Sequence, residues 1–147
     1  CKGGAMSEEH EYEVYAKRME SRFPKMYGGK YGGFAIGKGW YPLIEQLSAV
    51  IQNHIDNKQK RGEDCPQVIV EQVKEKFGTL RFYYQGGDEF ISGAVWLAES
   101  MTGHLCEECG GLGTTRGGGW VRTLCDVHET ERQARIEEQA RKDGLEL

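Results

Sequence analysis

The chain has no long apolar run, no secretory leader after Met6 and only three prolines among its 147 residues. A membrane-spanning helix needs about 20 consecutive apolar residues, so none is predicted, and the expectation is a soluble, cytoplasmic protein with no membrane partner. No strand–loop–helix phosphate motif carrying Lys-Ser or Lys-Thr is present, which removes the usual basis for nucleotide binding. No Ser-His-Asp or Cys-His grouping is visible locally, and no enzyme is expected. Charge of either sign is modest: the formal balance is −4, which disfavours a general nucleic-acid binder and falls short of a phosphate mimic. There is no internal repeat. Hydrophobic residues at 38% and aromatics at 10% suffice for a folded core, so global disorder is excluded.

Cysteines are few, and they do not form the paired set of a secreted scaffold. CKGGA before Met6 (residues 1–5) reads as an expression scar, which removes Cys1 and Lys2 and shifts the balance to 18 basic against 23 acidic side chains, or −5. Of the four remaining cysteines, three fall in CEECGGLGTTRGGGWVRTLCDVH, residues 106–128, and Cys65 is left over. Such a set points to a reducing compartment. Cys106-x2-Cys109 and Cys125-x2-His128 are separated by fifteen residues, enough for a knuckle, a short hairpin and the first turn of a helix to converge on one tetrahedral ion. Three thiolates and one imidazole close the coordination shell of a structural Zn²⁺. His104, just before the knuckle, is an alternative to His128, but a Cys and a His one helical turn apart have the better geometry. Gly110 and Gly111 sit where a knuckle must turn tightly, and LGTTRGGGWVRT supplies two short strands around a glycine turn.

The rest of the chain reads as an α+β core over residues 6–103, followed by a treble-clef-like metal lobe over 104–147. Ser7 caps a helix with Tyr12, Tyr15, Met19 and Phe23 at helical period, ended by Pro24. Pro42 opens a second helix whose stripe is Leu43, Ile44, Leu47, Val50, Ile51 and Ile55, with His54 at its boundary; NKQKRGED, 57–64, is a loop. VIVEQV and TLRFYY form a hairpin around KEKFG. Asp88 caps a helix whose apolar residues Phe90, Ile91, Ala94, Val95, Leu97, Ala98 and Met101 predict burial on two sides. After His128 a charged helix with acid-before-base pairs four apart should be solvated.

Residues 22–41 carry Arg22, Lys25, Lys30 and Lys38, six glycines, six aromatic rings and no acidic residue. Interleaved cations and rings could stack bases and contact phosphates; the preferred reading places the rings in the core and the glycines in unusual turns.

YGGFAIGKGWYPLIEQL, VEQVKEKFGTLRFYYQGGDE and the metal-ligand string together resemble a family of small proteins encoded by bacteriophages and prophages of enteric bacteria. The likeness spans most of residues 22–128. It implies a bacterial cytoplasmic setting and interference with a host process or defence system, and no particular activity.

Three function classes compete. A treble-clef nuclease would place His and Asn on its hairpin, and residues 110–123 have neither. Nucleic-acid binding would use the basic, aromatic loop together with Arg116, Trp120 and Arg122. Protein binding is preferred: a rigid, metal-stapled surface presenting rings and cations, with Arg116, Trp120, Arg122, Lys25, Lys30, Tyr31 and Lys38 as candidate contacts and a host or defence protein as partner.

Overall fold

The computed structural model describes residues 6–144, and the expectations for residues 1–5 and 145–147 lie outside them. The fold is mixed α+β, with five α-helices and two small sheets among the described residues. The first helix, α1 (Glu8–Arg22), begins where Ser7 Oγ accepts the His10 N–H, and Tyr15 and Met19 form its buried face. After α2 (Pro24–Tyr27) the chain crosses a glycine-rich stretch to the two-residue strand β1 (Phe34–Ala35) and a 3-10 turn at Lys38–Trp40. Helix α3 (Tyr41–Lys60) buries Ile44, Leu47, Ile51 and Ile55, a stripe in which each side chain contributes about 1.5–3 kcal/mol of burial. It runs through residues predicted as loop, so Asn57–Lys60 are helical. No proline or glycine intervenes before Arg61 to stop it.

Strands β2 (Ile69–Lys76) and β3 (Thr79–Gln85) pair antiparallel, joined by Phe77 and Gly78 alone. Both joining residues have positive φ, 54° and 80°, the left-handed geometry of a tight two-residue hairpin turn. This is shorter than the five-residue connection predicted. Leu80 and Phe82 face the core while Tyr83 faces solvent. Strand β1 adds to β2 in parallel, Phe34 opposite Val73, and the Tyr12 hydroxyl accepts the Phe34 N–H at 2.9 Å. On the other side, α4 (Glu89–Thr102) closes the free edge of β3: Thr102 Oγ1 accepts from Leu80 N and Glu99 Oε2 from Phe82 N. An edge so engaged offers no template for a further strand.

Burial of α4 on two sides is not observed. Ile91, Val95, Ala98 and Thr102 face the core, whereas Phe90, Trp96, Leu97 and Met101 are exposed. The core meets only one face of the helix.

The rings of residues 22–41 are largely core. Phe23, Tyr27, Tyr31, Phe34 and Trp40 are all buried, and Tyr15 stacks on Tyr41 at 4.0 Å. Two guanidiniums tie α1 to α3: Arg18 Nε and Arg22 Nη1 both reach Glu45 Oε2, at 3.0 and 2.7 Å. Burial raises the Glu45 pKa, but the hydrogen bonds and charges of Arg22 and Arg18 outweigh it and hold the carboxyl below its ordinary 4.5. With the folded value depressed, its stabilisation is complete above the unfolded value and lost as pH falls through the folded one. Both arginines are half exposed, so Glu45→Gln is expected to destabilise by less than ~1 kcal/mol at neutral pH. The same change flattens the acid limb, which urea midpoints at pH 7 and pH 3 measure; equal pH slopes in the two proteins would contradict this role.

Candidate metal centre

From Gly103 the chain turns into the segment that carries the ligand pairs. Leu105 bridges Leu112 across the loop, and within it Gly110 N donates to Cys106 O at 2.8 Å, closing a knuckle over residues 106–110. Gly110 has φ of +76°, a conformation that suits glycine. Strands β4 (Thr114–Arg116) and β5 (Arg122–Leu124) pair antiparallel. Helix α5 (Asp126–Lys142) follows at once, with Cys125 as its N-cap and the Cys125 sulfur accepting the His128 N–H. Knuckle, hairpin and helix therefore deliver one ligand pair from each end.

The four ligand atoms converge. Cys106, Cys109, Cys125 and His128 each offer one atom within 4.8 Å of the others, a group that could bind a metal ion. His128 Nδ1 is the nitrogen facing the sulfurs, 3.1 Å from Cys125 Sγ and 3.5 Å from Cys106 Sγ. Cys109 Sγ lies 3.9 Å from Cys125 Sγ and accepts the Gly111 N–H. His104 is exposed and outside the group, which leaves His128 as the imidazole. Burial opposes ionisation of Cys106, yet the backbone N–H groups of Cys125, Cys109 and Glu108 directed at its sulfur bring the thiol down to about 7. At Cys109 the Gly111 N–H also favours the thiolate, but desolvation and the adjoining sulfurs of Cys106 and Cys125 prevail and push its pKa up. Sulfurs that crowd one another in this way fit a cation, which turns their mutual repulsion into shared attraction.

The centre is clamped to the core. Gly39 N donates to Glu107 O at 2.8 Å, Trp40 Nε1 donates to Leu105 O at 2.9 Å, and Thr123 Oγ1 donates to Gly78 O at 2.6 Å. A Cβ on Gly37 or Gly39 would fall 2.3 Å from a knuckle carbonyl oxygen, so these glycines are there for close backbone approach. Glu107, itself buried, accepts the Thr123 N–H; burial pushes its pKa up against that bond and the nearby Arg122.

The predicted contact residues divide sharply. Arg116 is held by Leu124 O and by Asp126 at 2.8 Å. Arg122 reaches Glu108 at 2.8 Å and Glu107 at 3.7 Å. Tyr31 is only 7% exposed and donates to Glu20, so its ring belongs to the core and is not presented to a partner. Lys25 and Lys30 are exposed, and Lys38 lies 3.8 Å from Glu11. Trp120 is 74% exposed. It borders a groove of about 350 Å³ with Val121, Gly119, Glu75, Lys76 and Phe77.

Phe77, which falls in the connection between the hairpin strands and carries no predicted role, is projected by that turn and is 67% exposed. His54, Cys65 and Asp88, read separately as a boundary residue, a leftover thiol and a helix cap, also come together. No family model matches the chain, and searches of curated proteins and of solved structures return no similar protein.

Proposed function

We propose that this is a non-enzymatic binding module in which one structural Zn²⁺, held by Cys106, Cys109, Cys125 and His128, fixes a treble-clef-like lobe that helps present a protein-docking surface. The succession of knuckle, hairpin and helix supports the treble-clef-like reading, and three thiolates with one imidazole are a donor set suited to zinc. The ion supplies a cross-link in a lobe too small to build its own core, so its binding energy becomes folding energy.

The observation that carries the docking reading is the groove between two hairpin tips. Phe77 from β2–β3 and Trp120 from β4–β5 both line it and stand exposed, on hairpins held together by the Thr123–Gly78 bond. Aromatic anchors on a rigid support are the residues that dominate interface energies. The two hairpin arginines are each held by carboxylates of the same chain, which favours a protein partner over a nucleic acid. The resemblance to phage and prophage proteins makes that partner a bacterial host or defence-system protein in the cytoplasm.

Affinity capture from a bacterial lysate, with the captured material then divided and half of it treated with nuclease, tests this. One host protein in fixed ratio is expected, and Trp120→Ala or Phe77→Ala should weaken its binding by about 2 kcal/mol, some thirtyfold. The melting temperature and metal content should hold, because both rings are exposed. Equal capture by wild type and both variants sinks the groove; recovery only of nuclease-sensitive material supports the nucleic-acid alternative.

A further inference from the structure

We propose that His54, Cys65 and Asp88 form a second metal site, for a zinc-class transition-metal dication, with one coordination position left open. His54 comes from α3, Cys65 from the segment before β2, and Asp88 from the residue that opens α4. Their ligand atoms lie within 4.8 Å of one another.

A helix cap alone does not require this grouping. Asp88 caps α4 through Oδ1, which accepts the Ile91 N–H at 3.1 Å. Its other oxygen is therefore available, and three groups converge on it: His54 Nε2 at 2.7 Å, Cys65 Sγ at 3.6 Å and Lys58 Nζ at 3.6 Å. The His54 ring is oriented by Phe90, stacked at 4.2 Å with planes 19° apart. Cys65 is 2% exposed, and its sulfur faces a carboxylate oxygen. That is a poor environment for a packing thiol and a suitable one for a ligand.

Charge balance points the same way. A thiolate, a carboxylate and a neutral imidazole together neutralise a dication, and the mixture of nitrogen, sulfur and oxygen donors is one that zinc accepts. Binding would displace the Cys65 thiol proton to solvent. In the metal-free protein the positive charge beside Asp88 includes the Lys58 ammonium, which lies 3.5 Å from a second acceptor, Glu63 Oε2. The lysine can move to that acceptor when an ion enters. Three protein ligands leave a fourth position for water or another small donor, whereas the C-terminal group supplies four of its own.

The test is a titration of metal-free protein with Co²⁺, following thiolate-to-metal charge transfer in the near ultraviolet and the visible d–d bands. Two equivalents are expected in the wild type. Cys65→Ser should remove one of them and leave the spectrum of the other intact, and Asp88→Asn, which keeps the cap, should do the same. Lys58→Met should tighten the second equivalent by at least about tenfold, since it removes a competing charge. Cys106→Ser should abolish the C-terminal equivalent and spare this one, so failure of either site is seen separately. The proposal is overturned by a second equivalent that is missing from the wild type, that survives Cys65→Ser, or that weakens in Lys58→Met.

Discussion

Cys106→Ser is expected to empty the C-terminal centre and leave residues 104–144 without a fixed shape. Cys106 is the fully buried member of the group, and its sulfur lies 3.5 Å from His128 Nδ1. A serine oxygen would be a weak ligand there. Structural zinc sites supply about 10–16 kcal/mol of apparent binding energy that doubles as folding energy, far more than the few buried apolar side chains of this lobe provide. Leu124 and Ala140 are its only buried apolar residues apart from Cys106 itself among those described. Elemental analysis should find the equivalent lost, and limited proteolysis should cut within 104–144 while the α+β core resists. An unchanged melt with undiminished metal would end the reading of the ion as the lobe's organiser.

Gly39→Ala should be the most damaging change that touches neither a ligand nor a large side chain. The new Cβ would lie 2.3 Å from Cys106 O, 2.6 Å from Gly110 N and 2.7 Å from Glu107 O. These are backbone atoms of the knuckle that carries Cys106 and Cys109, and they cannot swing aside as a side-chain end could. Displacing the knuckle would also strain the bonds from Gly39 N to Glu107 O and from Trp40 Nε1 to Leu105 O. A loss of about 3 kcal/mol is expected, lowering the melting temperature by roughly 10 °C. Gly93→Ala is the control: it sits in the interior of α4 with nothing within 4 Å of the added carbon, so alanine should stabilise by about 0.5–1 kcal/mol. Equal melting temperatures for the two variants would refute the steric account.

The parts legible in the sequence were those that local spacing encodes. Ile44, Leu47, Ile51 and Ile55 announce α3 by period, Asp88 announces the start of α4, and the two ligand pairs announce a metal group before any fold is known. Strand β1 is not legible, because two residues carry no periodic signal. Its existence depends on Val73 and Lys74 of β2 and on the Tyr12 hydroxyl. The outward side of α4 departs from expectation for a related reason: hydrophobicity marks Phe90, Leu97 and Met101 as apolar without saying whether the chain supplies anything to cover them. Residue type alone marks Arg116 and Arg122 as contacts, and their carboxylate partners lie 10 and 14 positions away, beyond the reach of a helical or strand period. The close approach of Gly37 and Gly39 to the knuckle is a tertiary fact, invisible until residue 107 is set beside them.

That approach carries a consequence for the order in which the molecule is made. Trp40 waits for a carbonyl 65 positions further along, and at about 5–20 residues per second a ribosome needs roughly 3 to 13 seconds to synthesise that interval. Throughout it the glycine loop has no knuckle to close on, so a nascent chain stalled before residue 105 would hold an indole without its acceptor and a loop open to proteases. Ribosome-bound intermediates of increasing length should therefore gain protection at residues 37–40 in one late step, once the knuckle clears the exit tunnel.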